Sequence, residues 1–257
     1  MAQEIALITG ASSGIGEAFA RKLASEGRDL ALVARRAEVL EGIAEKLRKE
    51  HRIDAHVIPA DLTTAGAVRT VAEDLERRGC IVESLVNNAG FGTYGAFHEL
   101  PIQKELEEVQ LNVSALVELT GRFLPGMVAR RRGTVINVAS VAGFAPGPYM
   151  ATYCATKAFV KSFSEGIAAE LAGTGVNVLC VCPGFTRTEF QARADVDVSR
   201  IPNFAWMSAD DVAEEALSAV GRKAVMVNGL MNSVTASFVR LLPTSVSGRI
   251  FGAALKR

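Results

Sequence analysis

From its first residues onward, the chain alternates short, largely apolar runs with longer segments whose apolar residues recur every three or four positions. The short runs are residues 5–8, 30–33, 55–58, 85–87, 134–138, 176–181 and 224–227. A strand that is apolar at every position is buried on both faces, and only a sheet covered on both sides provides that. The intervening segments, such as 15–26 and 37–49, carry the 3.6-residue period of amphipathic helices. Strand–helix–strand alternation makes neighbouring strands parallel, and right-handed crossovers place helices on either face. No linker rich in Pro, Gly or Ser interrupts the pattern, and no long-period repeat is visible. The expectation is an α/β fold: one doubly wound domain over 1–257, with a seven-stranded parallel sheet and helices on both faces.

In such a sheet, ligands bind at the carboxyl ends of the strands, so what stands there matters most. The first run leads through Thr9-Gly-Ala-Ser-Ser-Gly-Ile-Gly16 straight into a helical segment. Gly10, Gly14 and Gly16 permit a tight turn, close approach of backbone to a pyrophosphate, and contact of helix with sheet. The helix start adds free N–H groups and partial positive charge. Ser12, Ser13 and Ile15 complete the expected phosphate-binding set. A glycine-rich turn between strand and helix is the setting of a Rossmann dinucleotide site, although the spacing is G-x-x-x-G-x-G rather than G-x-G-x-x-G.

The second strand ends Ala34-Arg35-Arg36. A site for NAD carries an acid near this point to accept from the ribose 2′-hydroxyl. Here Arg35 can pair a 2′-phosphate bidentately, with Arg36 in support, so NADPH is expected over NADH. At the third strand end, Asp61, with Leu62 beside it, can reach an adenine amino group. The fourth gives Asn87-Asn88-Ala89-Gly90, whose small residues leave room for a flat ligand. Helical pattern follows from 101 to about 130, with Pro125 expected to break or bend it. Asn112 lies inside, where an amide is unfavourable unless it has a task. The fifth strand ends at Ser140 and the sixth at Pro183-Gly184, followed by Thr186 and Thr188.

A proline-free, alanine-rich run over 151–171 reads as a helix beginning near Thr152. On it Tyr153 and Lys157 share one face at i and i+4. A phenol titrates near pH 10, and bringing it about three units down requires roughly 4 kcal/mol. A partly desolvated ammonium beside it supplies a good part of that. Tyr153 is thereby expected to be a general acid–base group with a lowered pKa.

Taken together, Thr9-Gly-x-x-x-Gly-x-Gly16, Asp61, Asn87-Asn-Ala-Gly90, Asn112, Ser140, Tyr153-x-x-x-Lys157 and Pro183-Gly-x-x-x-Thr188 resemble the short-chain dehydrogenase/reductase family, in its order and spacing, over about residues 4 to 190. The ending resembles bacterial ketoacyl reductase-like members. The resemblance implies hydride transfer between a nicotinamide and a carbonyl or alcohol carbon. Tyr153 would move the proton at the substrate oxygen and Ser140 would hold that oxygen. Lys157 would lower the Tyr153 pKa and bond the nicotinamide ribose, and Asn112 would position a water linking Lys157 to solvent. Thr188 and the backbone near Thr186 would orient the carboxamide. The positive charge of an oxidised nicotinamide would further favour the phenolate.

The segments expected to face the carbonyl are 91–97, 141–150 and a substrate loop at 185–210. They bring Phe91, Tyr94, Phe144, Tyr149, Phe190, Phe204 and Trp206, so an apolar, bulky, lipid-like or acyl substrate is expected, while Arg187 and Arg193 leave an anionic carrier open. The tail, 228–257, carries Phe238, Leu241, Leu242, Ile250, Phe251 and Leu255 interleaved with Arg240, Arg249, Lys256 and Arg257. Two amphipathic helices split at Pro243 fit it, as a lid, a subunit interface or a weak membrane-surface contact.

Composition narrows the class. Lys plus Arg and Asp plus Glu number 28 each, so no global field argues for nucleic acid. Cys80, Cys154, Cys180 and Cys182 lack zinc spacing or disulfide density, and three scattered His residues argue against a metal site. Neither a signal peptide nor an 18-residue apolar run is visible, so a cytoplasmic location is expected; the family resemblance implies a homodimer or homotetramer. Two alternatives remain: an NAD-dependent alcohol dehydrogenase, which Arg35 argues against, and a non-catalytic cofactor-sensing protein, which would be expected to lack Tyr153 or Lys157.

Overall fold

The computed structural model describes residues 2–194, 196, 201–241 and 248. The chain runs β1 (Gln3–Thr9), α1 (Gly14–Ser25), β2 (Asp29–Ala34), α2 (Ala37–His51), β3 (Ala55–Pro59), α3 (Ala67–Arg77) and β4 (Cys80–Asn87). After these come α4 (Ile102–Val109), α5 (Leu116–Ala129), β5 (Gly133–Val138), α6 (Ala151–Glu170), β6 (Val176–Cys182), α7 (Phe190–Arg193), α8 (Ala209–Ala219), β7 (Val225–Val227) and α9 (Leu230–Leu241). The seven strands form one sheet in the order β3-β2-β1-β4-β5-β6-β7, every pair parallel. The expected doubly wound α/β sheet is present, with each strand within a few residues of its expected place.

Period-two alternation along each buried strand feeds two separate cores. Ile8, Leu30, Leu32, Val86, Ile136, Leu179 and Val181 turn to one face and meet Phe19, Leu23, Leu40 and Leu47 of α1 and α2 and Val212 of α8. Ile5, Leu7, Val33, Leu85, Val135 and Val178 turn to the other and meet Val71, Leu75, Leu119 and Met127 of α3 and α5. The chain reverses its winding between β1 and β4, which are hydrogen-bonded neighbours. That reversal opens a crevice at their carboxyl ends, where ligands of such sheets bind. In the middle of the sheet, Asn87 and Asn137 stand opposite each other in register. Asn87 Nδ2 donates to Asn137 Oδ1 (2.9 Å) and Thr120 Oγ1 (3.1 Å), and Asn137 Nδ2 to Ser164 Oγ (2.9 Å). Buried amides in a sheet need such partners, and this chain ties β4, β5, α5 and α6 together next to the crevice. Cys180 and Cys182 lie buried on one face of β6 as free thiols.

One local expectation needs correction. Pro125 does not break its helix: α5 runs through it to Ala129. The irregularity lies earlier, where residues Gln110–Ala115 widen into a π-helical turn that carries Asn112. Of the two tail helices expected, α9 stands where the first was placed; Pro243 and the expected second helix lie outside the described residues.

Gly42 sits exposed inside α2, and a Cβ added there would meet nothing within 4 Å. Gly42→Ala is expected to stabilise the protein by about 0.5–1 kcal/mol, because alanine restricts the unfolded chain and favours helix. A lower midpoint in denaturant unfolding would contradict this.

Candidate functional site

The turn after β1 is built by backbone geometry that side chains would block. Gly10 and Gly14 have φ of +66° and +59°, in the left-handed region that glycine enters freely. A Cβ on Gly16 would lie 2.4 Å from Gly10 O and 2.5 Å from Asn88 Nδ2. Asn88 itself is spent on bracing this turn: its Nδ2 donates to Thr9 O (2.9 Å) and Gly10 O (3.3 Å). Thr9 Oγ1 accepts from the main-chain N–H of both Asn88 and Ala89, at 3.0 Å each. At the start of α1, the Ser13 side chain makes no capping bond to the helix N–H groups, which leaves them available to an anion.

The two arginines expected to act together are separated in use. Arg36 Nη2 donates to Ser12 O (3.0 Å) and Glu189 Oε2 (3.2 Å), bridging the glycine turn to the segment after β6. Arg35 is exposed and its charge acts on Asp61, but it forms no hydrogen bond or ion pair among the described residues. Burial alone would raise the Asp61 carboxyl. Bonds to its Oδ1 from Thr63 N (3.0 Å) and Thr63 Oγ1 (2.7 Å), helped by the Arg35 charge, hold it below its ordinary value instead. Leu62 turns its side chain into the core, so only its main chain is left for a ligand. Ile15 likewise packs against the core.

The carboxyl ends of β4, β5 and β6 surround the first turns of α6. Ser140 Oγ accepts from Ala142 N (3.1 Å), capping the 3-10 turn Val141–Phe144, and hydrogen-bonds the Tyr153 phenol. Pro183 O accepts from Val141 N (3.0 Å), locking the end of β6 to this turn. One turn along α6, Lys157 Nζ donates to Val138 O (2.8 Å) and lies 5.7 Å from the Tyr153 ring centre. Gly90 lies between Asn112 and this amine: a Cβ there would come within 2.9 Å of Asn112 Oδ1 and 3.4 Å of Lys157 Nζ. Asn112 spends its amide on the neighbouring loop. Its Oδ1 accepts from Phe91 N (3.2 Å), and its Nδ2 donates to Phe91 O (2.9 Å) and Thr156 Oγ1 (3.1 Å). The π-helical turn swings this side chain in, and such turns recur at functional positions.

Electrostatics correct the expected tuning. Tyr153 and Lys157 are only 8% and 5% exposed. Burial pushes the phenol well above its usual range despite the bond from Ser140, and it lowers the Lys157 ammonium to about 8. Desolvation disfavours each charged form, so proximity to a buried ammonium does not by itself yield a phenolate.

The aromatic wall divides. Phe190 and Tyr94 pack with Tyr153 and Met150, the Phe190 and Tyr153 rings lying 5.2 Å apart, and Tyr149 stands beside Tyr94. Phe144 packs inward with Leu116, Val160 and Cys180. Trp206 stacks on Phe185 and under Arg187, whose Nη2 also donates to Asn203 Oδ1 (3.3 Å). Arg193 pairs with Glu189. Both arginines that left an anionic carrier open are thus engaged within their own loop. Thr188 packs its methyl against Gly14, and Thr186 Oγ1 donates to Gly184 O (3.1 Å).

Several residues here escaped sequence reasoning. Gly92 admits the Tyr153 ring, since a Cβ would meet it at 2.9 Å, and Gly143 admits the α6 backbone at 2.7 Å. Glu105 and Glu108 are buried behind the site. Their spacing to Asn112, at i, i+3 and i+7 on one helix face, was the available signal.

The sequence pattern of the family described as short chain dehydrogenase matches residues 4–198. The chain is 31% identical to the very-long-chain 3-oxoacyl-CoA reductase of Anas platyrhynchos, over 93% of this chain and 76% of that one. Among solved structures it is similar to a 7beta-hydroxysteroid dehydrogenase, with a TM-score of 0.88 and 26% identity, covering 97% of this chain and 96% of the other. It is also similar to a short-chain dehydrogenase from Sphingobium yanoikuyae in complex with NADPH, with a TM-score of 0.82 and 34% identity, covering 94% and 96%.

Proposed function

The chain belongs to the short chain dehydrogenase family, and from that premise we propose that it is an NADPH-dependent reductase of apolar, bulky carbonyl compounds, acting as one catalytic unit over the whole chain. The observation that carries this reading is a buried Tyr153 beside Ser140, one helical turn from the buried Lys157 amine that bonds Val138 O. The residues present fit a dinucleotide: a glycine cradle, uncapped N–H groups at α1, Gly90 beside Lys157, and the exposed Arg35. When bound, the cofactor supplies the hydride.

What the chain's own groups do follows from their placement. Ser140 and Tyr153 hold the substrate oxygen, and the Tyr153 hydroxyl delivers the proton to it. Burial keeps that proton in place at neutral pH, which favours carbonyl reduction over alcohol oxidation. Two of the Lys157 ammonium protons remain after the bond to Val138 O, and they would bond the nicotinamide ribose. Asn112 fixes the loop at Phe91 and keeps Gly90 close to Lys157; a water carried by Asn112 would bridge to solvent from there. Gly10, Ser12, Ser13, Gly14, Ile15 and Gly16 would hold the pyrophosphate, Asp61 and Leu62 the adenine side, Asn88 to Gly90 the ribose side, and Pro183, Gly184, Thr186 and Thr188 the carboxamide. Tyr94, Tyr149 and Phe190 form the apolar wall, and the acyl and steroid names of two relatives support a lipid-like substrate.

Preference for NADPH rests on Arg35, which has no competing partner among the described residues. Arg35→Ala is expected to weaken NADPH binding roughly 10- to 100-fold, the range for charge-assisted bonds to a phosphate, and to leave NADH binding unchanged. Equal losses for both cofactors, or tighter binding of NADH by the wild type, would remove the basis for this preference. The carbonyl itself is found by following NADPH oxidation across a panel graded by apolarity and chain length. No helix among the described residues is long and apolar enough to cross a membrane; a cytoplasmic homo-oligomer is the setting we propose.

A further inference from the structure

Beside Tyr153 and Lys157 lies a second set of titratable groups to which the mechanism above gives no task. Glu105 and Glu108 stand one turn apart on α4, 3% and 0% exposed. Between them is Thr93, in the loop that follows β4. Its Oγ1 lies 2.6 Å from Glu105 Oε1 and 3.0 Å from Glu108 Oε2, and its main-chain N–H donates to the same Glu108 oxygen at 3.0 Å. Glu105 Oε2 accepts from Thr152 Oγ1, on the residue before Tyr153. Glu108 Oε1 is buried without a hydrogen-bond partner.

A threonine hydroxyl has one proton and cannot donate to both carboxylates. If both are ionised, one contact sets lone pair against lone pair in a buried place. One proton on Glu108 resolves it: Glu108 donates to Thr93, Thr93 donates to Glu105, and Thr152 donates to Glu105 from the other side. Burial pushes the Glu108 carboxyl up to about 7, aided by Glu105 and opposed by the bonds from Thr93 and by the Lys157 charge. The groups facing Glu108 are Glu105 on its own helix and Tyr153, Cys154 and Lys157 on α6, all three of which feel its charge.

We propose that Glu108 is a positioning residue acting through its charge: paired with Glu105 across the Thr93 hydroxyl and set behind α6, its carboxylate holds Tyr153 protonated and Lys157 charged into the alkaline range. The proposal rests on Tyr153 being the proton donor. It gives the site a reductive bias that persists as pH rises, because a negative charge close by opposes the phenolate.

The test compares wild type with Glu108→Gln and Glu108→Asp, measuring kcat/KM for NADPH-dependent reduction from about pH 6 to about pH 10, where the free enzyme's acid and base groups show themselves. The glutamine amide can keep both contacts to Thr93 and removes only the charge. Its alkaline limb is expected to fall at a pH lower by roughly half a unit or more, while Glu108→Asp keeps the limb of the wild type. A glutamine profile that is lower at every pH with its limb unmoved marks a merely structural role and overturns the proposal. A second readout needs no activity. Because Glu108 binds its proton more tightly when folded, its stabilising contribution is complete below 4.5 and lost as pH rises through about 7. The unfolding free energy of wild type relative to Glu108→Gln should fall across that window, and a difference flat with pH overturns the shared-proton pair. Absence of any carbonyl turnover by wild type would instead refute the functional reading, with the unfolding comparison still deciding whether Glu108 titrates as proposed.

Discussion

Tyr153→Phe is expected to lower kcat for carbonyl reduction by roughly a thousandfold, within the range for loss of a positioned general acid, with NADPH affinity changed less than about threefold. The phenylalanine keeps the ring that packs on Phe190 and fits against Gly92, so the loss falls on the hydroxyl alone. Ser140 then retains its bond from Ala142 N and can still hold the substrate oxygen, but the hydroxyl that delivers the proton is gone. Stopped-flow reduction and a fluorescence titration with NADPH separate the two effects. Retention of turnover would show that another group protonates the substrate. Loss of NADPH affinity would show that Tyr153 is structural.

The second large effect concerns Lys157. Its ammonium falls from an ordinary 10.5 to about 8 through burial, a cost on the order of 3 kcal/mol at neutral pH. The folded state binds fewer protons than the unfolded one between those values, so stability rises with pH through this window. The penalty is complete below about 8 and gone above 10.5. Lys157→Met removes it, offset by about 1 kcal/mol for the bond to Val138 O that is lost. The variant is therefore expected to be inactive yet more stable than wild type at pH 7 by about 1–2 kcal/mol, with the gain vanishing toward the alkaline end. Urea unfolding of cofactor-free protein at two pH values measures this. A Met variant less stable than wild type at pH 7 would mean that the amine contributes more through its contacts than its burial costs. A buried ammonium kept at such a cost is what a functional group looks like, since stability alone would select against it.

Much of this was legible in the sequence. Largely apolar runs between helical periods dictate a covered parallel sheet, because no other arrangement buries both faces of seven strands. Glycines at 10, 14 and 16 mark the crevice, since their backbone angles and contacts exclude side chains. The i, i+4 pairing of Tyr153 and Lys157 put phenol and ammonium on one helix face. Less legible were the partners each group takes. Asn88 also braces the glycine turn, Arg36 also bridges Ser12 to Glu189, and Pro125 stands inside a continuous helix.

The sequence by itself determined the sheet, its order of elements and the strand ends where chemistry gathers, because these follow from period and backbone freedom, which are local. Only the tertiary structure decided how deep Tyr153 and Lys157 lie, and burial reversed the direction of the tuning that spacing alone implied. It also brought Glu105, Thr93 and Glu108 against α6. Charge interactions depend on distance through a low-dielectric interior, and no spacing along the chain encodes which side chains will share it.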